Sequence, residues 1–224
     1  MIPYTLTRSR RKTIALQIRG GALLVRAPLK TPIHEIERFI NAKSSWIADK
    51  LWRSSKQLEQ REAFKLNYGD SITYRGKAFS VTARDGNKFG FDGSCFYMPP
   101  NLQPSEIKST CIKIYRLLAK QYICERVRTI AAEMGVVPSR VSINSAKTRW
   151  GSCSGKKSLN FSWLLIMADD AVIDYVVVHE LAHITEMNHS ARFWAIVAAI
   201  TPDYLAHKAT LKQLQQRLNT ENWS

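Results

Sequence analysis

The sequence lacks any long apolar run. Nowhere do about 18 consecutive apolar residues occur, which is the minimum for a transmembrane helix. The first ten residues, MIPYTLTRSR, contain no apolar core of the length that a signal peptide needs. We therefore expect a cytoplasmic protein with no membrane span. A hydrophobic content of 45% over 224 residues is still enough for a folded core, so disorder is not the default interpretation.

Cysteine is scarce and widely spaced. The four residues Cys95, Cys111, Cys124 and Cys153 form no Cys-x-x-Cys motif. A chain of this length does not need a disulfide framework to fold. We expect reduced and mostly buried thiols.

Acidic residues are few, and the imbalance is uneven along the chain. The sequence holds 33 Lys and Arg against 18 Asp and Glu, a net charge of +15. Residues 171–224 contain four basic and five acidic side chains, so residues 1–170 carry 29 against 13, a net +16. Such a basic region favours an anionic partner such as nucleic acid or phosphate. Solubility alone is the other explanation.

The N-terminal pattern predicts a β-hairpin. Apolar stretches at residues 13–18 and 22–26 flank Gly20-Gly21, a dipeptide suited to a tight turn. A basic run lies at the entrance to this hairpin and comprises Arg8, Arg10, Arg11 and Lys12. This region is our candidate for nucleic-acid contact.

A long helix and further strands are predicted next. Apolar residues recur at helical spacing from Pro32 to about Gln60, and we expect Trp46 and Trp52 to pack in the core. Between residues 70 and 98, short apolar runs separated by glycines predict several antiparallel strands.

Helices dominate the rest of the chain. The pattern predicts a helix over 105–134, strands over 140–145 and 159–167, and helices starting near residues 170, 190 and 202. Asp169 or Asp170 is the predicted cap of the first of these three helices. Strands come first and helices last, so the predicted class is α+β. We expect a β-rich N-terminal region over 1–100 with one long helix, followed by a second domain over 101–224.

The string His179-Glu180-Leu181-Ala182-His183 is the decisive motif. Four residues advance a helix by about 400 degrees, so both histidines lie on one face and can bind one ion. Glu180 is poorly placed as a ligand but can reach a water on that ion. Because zinc lowers the pKa of bound water toward about 7, Glu180 is the candidate proton acceptor of a hydrolase.

A catalytic zinc needs a third protein ligand and an open position. His189 is ten residues after His179, the spacing of the extended metalloprotease motif, and Glu186 is the alternative. That motif has Gly at the position of Glu186, so we expect Asn188 to supply the left-handed turn. Tyr204 and Arg192 are candidate donors to the attacked oxygen.

An extended peptide could pair with the edge of the strand predicted over 159–167, if that edge is exposed. A buried strand is the alternative.

Several segments resemble the YgjP-like family of metal-dependent hydrolases, which is related to the WLM and SprT metallopeptidases. The strongest are residues 149–153, 159–160, 174–183 and 188–190, together with Phe193-Trp194 and Pro202-Asp203-Tyr204. Weaker similarities lie at residues 10–14, 25–28 and 46–47, so the resemblance covers nearly the whole chain.

The resemblance implies that residues 101–224 form a zincin-like metal-dependent hydrolase domain, with zinc on His179, His183 and His189 and a catalytic Glu180. It also implies that the loop of residues 149–153 lies near the site, which makes Arg149 and Trp150 candidate substrate-binding residues. Cys153 in this loop is either a packed thiol or a thiolate that masks the metal.

Three functions are therefore compared. A metallopeptidase acting on peptides or proteins is the leading hypothesis. The resemblance also allows a nucleoside triphosphate pyrophosphatase, since family labels include this activity. The net charge of +16 in residues 1–170 would suit such a nucleotide substrate. A nucleic-acid-associated protease is the third, since the WLM and SprT resemblance allows it.

Overall fold

Two glycines shape the first sheet. In the computed structural model, which describes residues 2–223, β2 (Ala15–Arg19) and β3 (Ala22–Pro28) form the predicted hairpin. Gly20 and Gly21 have φ angles of 58° and 75°, as the tight turn requires. β1 (Tyr4–Ser9) pairs in parallel with the other side of β3, which the sequence pattern did not predict.

The long helix predicted over 32–60 is two helices. α1 (Ile33–Ala42) and α2 (Ser44–Ala63) are separated at Lys43, whose φ and ψ of −111° and 14° are not helical. Their buried stripe packs on β3 and consists of Ile36, Ile40 and Ile47. The expectation for Trp46 and Trp52 is wrong, because they lie about 100 and 140 degrees around α2 from Ile47 and are 43% and 62% exposed.

A second sheet follows in the chain. β4 (Ser71–Tyr74), β5 (Lys77–Ala83), β6 (Gly90–Phe91) and β7 (Cys95–Met98) form a sheet in the order β4-β5-β7-β6. The prediction of antiparallel strands fails for one pair, since β5 and β7 are parallel. The reason is that β6 lies between them in sequence and pairs with the far side of β7.

The third sheet lies next to the longest helix. α3 (Pro104–Glu133) begins with a capping box of Gln103 and Glu106. β8 (Arg140–Asn144), β9 (Gly151–Cys153) and β10 (Ser158–Ser162) then form a sheet in the order β8-β10-β9.

The strand predicted over 159–167 therefore ends early. Residues Trp163–Met167 form a short 3-10 helix instead, entirely buried, and the Ser162 side chain accepts a hydrogen bond from the Leu164 amide at its start. β9 occupies three residues of a segment predicted to be a loop.

Three helices complete the chain: α4 (Asp170–Ala182), α5 (Ala191–Ile200) and α6 (Tyr204–Thr220). The predicted cap of α4 is confirmed, because Asp169 Oδ1 accepts from the Val172 amide at 2.9 Å. The α+β class is confirmed as well. Among residues 2–223, no helix has both the length and the apolar character needed to cross a membrane.

The residues divide into two compact units. One comprises residues 2–64 with Arg217–Asn222, and the other residues 65–216 with Trp223. The predicted domain boundary after residue 100 is a statement about which segments fold independently. The two compact units do not test it, so it stays a prediction. The core of the second unit includes an aromatic group in which Tyr115 stacks on Trp163 at 5.7 Å between ring centroids. The four cysteines form no disulfide, and Cys111 alone of them is fully buried.

Candidate metal centre

Two arginines anchor helix α4, which carries the central motif. Arg75, in the β4–β5 turn, donates to both carboxylate oxygens of Asp170 at 2.6 and 2.5 Å. Arg126 on α3 binds Asp174 in the same two-pronged way at 2.6 and 2.9 Å. Because such pairs fix orientation as well as distance, they set the rotation of α4 about its axis and its position along that axis.

Helix α4 is buried on nearly every side. Its consecutive valines, Val176, Val177 and Val178, are at most 4% exposed. β-Branched residues are weak helix formers, so packing rather than intrinsic propensity stabilises this segment. The last turn thus presents its polar side chains from a rigid support.

Three histidine rings converge at the end of this helix. His179 lies in the last turn of α4, His183 caps it, and His189 lies in the loop before α5. One ring nitrogen from each lies within 4.8 Å of the other two. The Nε2 atoms of His179 and His189 are 3.0 Å apart, close to the roughly 3.4 Å between two nitrogens bound tetrahedrally to one zinc. The donor set therefore fits a metal ion.

Hydrogen bonding orients His183. Its Nδ1 lies 3.0 Å from the carbonyl oxygen of Glu186. A carbonyl can only accept, so Nδ1 carries the proton and Nε2 keeps its lone pair for a ligand. The Glu186 carboxylate is near Arg192 instead, at 3.8 Å, and does not belong to the group of three nitrogens.

The chain returns to the site without a left-handed residue. Outside glycine, positive φ angles among the described residues occur at Arg75, Asn101 and Lys157, so the expectation for Asn188 is wrong. The turn is made by helix-like hydrogen bonds, such as Glu186 amide to Ala182 carbonyl at 2.9 Å. These bonds need no positive φ, which is why a residue other than Gly is tolerated there.

Aromatic side chains surround the histidines. Phe193 stacks on His183 with ring centroids 4.5 Å apart, and Trp194 stacks on His189 at 5.7 Å. Tyr175 meets His179 edge-on at 6.0 Å. Both Phe193 and Trp194 are brought there by α5, which Ser190 caps through a bond from the Phe193 amide.

The electrostatics favour neutral imidazoles. Burial, with the nearby charges of His183, His189 and Lys208, lowers the pKa of His179 to about 4. Burial also lowers the pKa of His189. Metal ligation requires the unprotonated ring, so the site is prepared for it at neutral pH.

Glu180 follows His179 in the chain and is buried. It is 6% exposed, and this burial raises the pKa of its carboxyl to about 7, against the opposing charge of Arg149. Gly151 of β9 lies directly against it, since a Cβ on Gly151 would be 2.6 Å from both Cγ and Oε1 of Glu180. The sequence alone gave no reason to single out Gly151.

A cleft of about 650 Å³ opens at this point. Its lining includes His179 and Glu180, as well as Trp150, Gly151, Tyr175, Lys208 and Lys212. Of the two predicted substrate-binding residues, Trp150 lines the cleft. Arg149 is exposed on the same loop and outside the lining.

The structure also gives the positions of the two candidate donors to the attacked oxygen and of the candidate strand edge. Tyr204 stacks on Trp194 at 5.1 Å, and Arg192 extends into solvent with 78% of its side chain exposed. Neither belongs to the cleft lining. β10 is the central strand of its sheet, so the buried alternative holds for it, and β9 forms the free edge beside Glu180.

Comparison with known proteins identifies the family. Residues 12–214 match the model of the YgjP-like metallopeptidase domain, which confirms the resemblance seen in the sequence. No curated protein matches the chain significantly. The chain is similar to the solved metallopeptidase zymogen jannalysin of Methanocaldococcus jannaschii, at 24% identity and a TM-score of 0.36, over 42% of this chain and 95% of that one. It is also similar to the zymogen abylysin of Pyrococcus abyssi, at 22% identity and a TM-score of 0.36, over 44% and 92%.

Proposed function

The chain belongs to the YgjP-like metallopeptidase family, and we propose that it is a zinc peptidase in which three histidines hold the ion and Glu180 transfers the proton. One observation carries this proposal: ring nitrogens of His179, His183 and His189 converge within 4.8 Å, and the buried Glu180 lines the same cleft as His179. Three protein ligands with an open fourth position are typical of catalytic zinc. Other first-row ions also accept three imidazoles, so zinc itself belongs to the proposal.

The protein's own groups have separate tasks. When bound, the ion polarises the carbonyl of the scissile peptide and acidifies a water molecule. Glu180 takes the proton from the attacking water and later delivers it to the departing amine nitrogen. A carboxyl pKa near 7 suits both directions of transfer at neutral pH. Gly151 makes room for the carboxyl, because a Cβ at this position would lie 2.6 Å from Cγ and Oε1 of Glu180.

The cleft favours an extended peptide with acidic groups. Within residues 2–223, β10 is the one strand that pairs with β9, so the other edge of β9 can accept a substrate strand next to Glu180. Lys208 and Lys212 are four residues apart on α6 and line the same cleft. Among the described residues, Glu180 is the one acidic residue of the lining, so we expect peptides with an acidic side chain or a terminal carboxylate near the cleaved bond to be preferred.

The nucleotide and nucleic-acid alternatives have no comparable support. No comparison points to either partner, and both remain predictions from charge. Within the basic run of the N-terminal region, Arg8 is engaged, since its Nη1 donates to the carbonyls of Pro28, Leu29 and Thr31. This arginine therefore has a structural task that does not involve an anion.

A substrate panel tests the proposal. Zinc-loaded protein is incubated with denatured proteins and, separately, with nucleoside triphosphates, beside Glu180→Gln and the exposed control Glu125→Gln. We expect protein cleavage by the wild type and the control, and loss of at least about 100-fold in Glu180→Gln with one metal ion retained. Triphosphate cleavage in place of proteolysis would support the pyrophosphatase, and cleavage of neither would contradict a hydrolase.

A further inference from the structure

A second groove lies away from the catalytic cleft. It has a volume of about 630 Å³ and runs between α3 and the whole of β8. None of its lining residues belongs to the catalytic cleft. β8 and β9 form opposite edges of the three-stranded sheet, and two strand spacings place them about 10 Å apart. The groove is therefore a separate surface feature.

The lining of this groove is basic. Four cations line it, namely Lys113, Arg116 and Lys120 on α3 and Arg140 on β8, and no Asp or Glu does. The three helix positions are separated by three and four residues, so they share one face. Within residues 2–223 none of the four forms an ion pair with a carboxylate. Their charge is thus available to an incoming anion.

The floor of the groove is an open strand edge. β8 pairs with β10 on one side, and no other strand pairs with it among the described residues. Alternate peptide groups of Arg140–Asn144 therefore point into the groove with hydrogen-bonding capacity. Proteins normally cover such edges or use them to bind a further strand.

The apolar part of the groove points to a peptide. Leu117, on the same face of α3, is 63% exposed although it is a large hydrophobic residue. Val141 and Ile143 of β8 also line the groove. A strand with acidic side chains alternating with apolar ones would meet both kinds of surface, whereas a phosphate backbone would use the cations alone.

We propose that the groove between α3 and β8 binds an acidic, extended segment of another protein, which adds to the sheet as a strand beside β8. Backbone hydrogen bonds to β8 supply the pairing, and the four cations select negative charge. This proposal does not depend on peptidase activity. It therefore holds for the metal-free protein and for Glu180→Gln.

Fluorescence anisotropy with a labelled ten-residue peptide of alternating Glu and Val tests the binding. We expect the double charge reversal Lys113→Glu/Lys120→Glu to weaken binding at least about 10-fold. The matched control is Lys65→Glu/Lys88→Glu, two exposed lysines outside the groove with the same change in net charge, which should bind as the wild type does. All measurements use Glu180→Gln/Lys208→Ala/Lys212→Ala protein, so that the peptide is not cut and the two lysines of the catalytic cleft do not bind it, and circular dichroism checks folding.

A second probe tests the strand pairing without altering the protein. The same peptide with N-methyl groups on alternate residues keeps its charge but cannot donate the hydrogen bonds of one edge. We expect it to bind at least about 10-fold more weakly than the unmodified peptide. Equal binding would overturn the proposal, and so would equal affinity in Lys113→Glu/Lys120→Glu. A single-stranded oligonucleotide of the same charge that bound the groove more tightly than the peptide would also overturn it, by assigning the groove to nucleic acid.

Discussion

Replacing Gly151 by alanine tests the placement of Glu180. The added Cβ would lie 2.6 Å from Cγ and Oε1 of Glu180, against about 3.4 Å for ordinary contact, so the two groups must separate by about 0.8 Å. β9 is held by its pairing with β10, in which Gly151 faces Phe161, so most of the movement falls on the carboxylate. A displacement of about 1 Å costs on the order of 100-fold in rate, or about 2.7 kcal/mol.

The assay is kcat/KM on a fluorogenic peptide, together with metal content and melting temperature. We expect Gly151→Ala to lose about 100-fold in kcat while metal content stays at the wild-type value, because the histidines are on other elements. Gly155→Ala is the matched control, since a Cβ there meets nothing within 4 Å. Wild-type activity and stability in Gly151→Ala would refute the argument that this contact positions Glu180.

Three further predictions concern stability, metal and substrate. Arg75→Gln should lower the free energy of unfolding by about 1 kcal/mol at pH 7, after allowance for solvent exposure of the ion pair. This corresponds to a fall of about 2–4 °C in melting temperature. Arg75 lowers the pKa of Asp170, so the pair stabilises the fold above the ordinary carboxyl pKa of about 4, and the gap between wild type and variant in thermal melts should shrink as pH falls below it. Zinc at about 1,000 times its Kd should add about 4 kcal/mol to the free energy of unfolding. A chelator should therefore lower the melting temperature of the wild type by about 10 °C and leave that of His183→Ala unchanged. Equal shifts in the two proteins would argue against a site at these histidines. Lys208→Ala should raise KM for peptides with a Glu near the cleaved bond several-fold and leave neutral peptides unaffected, as a comparison of paired substrates would reveal.

The grouping of the three histidines could be predicted because its signals are local. His179 and His183 are one helical turn apart, so their proximity follows from helix geometry alone. The prediction of His189 depended on the longer motif. His189 does join the other two histidines, although the left-handed turn expected at Asn188 is absent. The helix cap at Asp169 was likewise a local signal.

The rest of the site depends on contacts distant in sequence. Gly151 approaches Glu180 from β9, a strand of three residues that is too short to show an alternating pattern. Lys208 reaches the cleft from α6, and Arg75 anchors α4 from a turn 95 residues away. No sequence periodicity connects such positions, so their proximity can be seen only in the folded structure.

The errors in the predicted fold also arise where a local sequence pattern does not determine the structure. Apolar residues continue from β10 into Trp163–Met167, and period alone cannot separate a buried strand from a buried 3-10 helix. Helical spacing likewise continued across Lys43, where the backbone leaves the helical region. In both cases the apolar pattern was right about burial and wrong about the local conformation.

X-ray absorption at the zinc edge, with metal stoichiometry, tests the central claim most directly. We expect one ion per chain with three imidazole nitrogens and one further light atom at about 2.0–2.1 Å, and loss of the ion in His179→Ala/His183→Ala/His189→Ala. A sulfur neighbour at about 2.3 Å, which would indicate Cys153, or full stoichiometry after removal of all three imidazoles would contradict it.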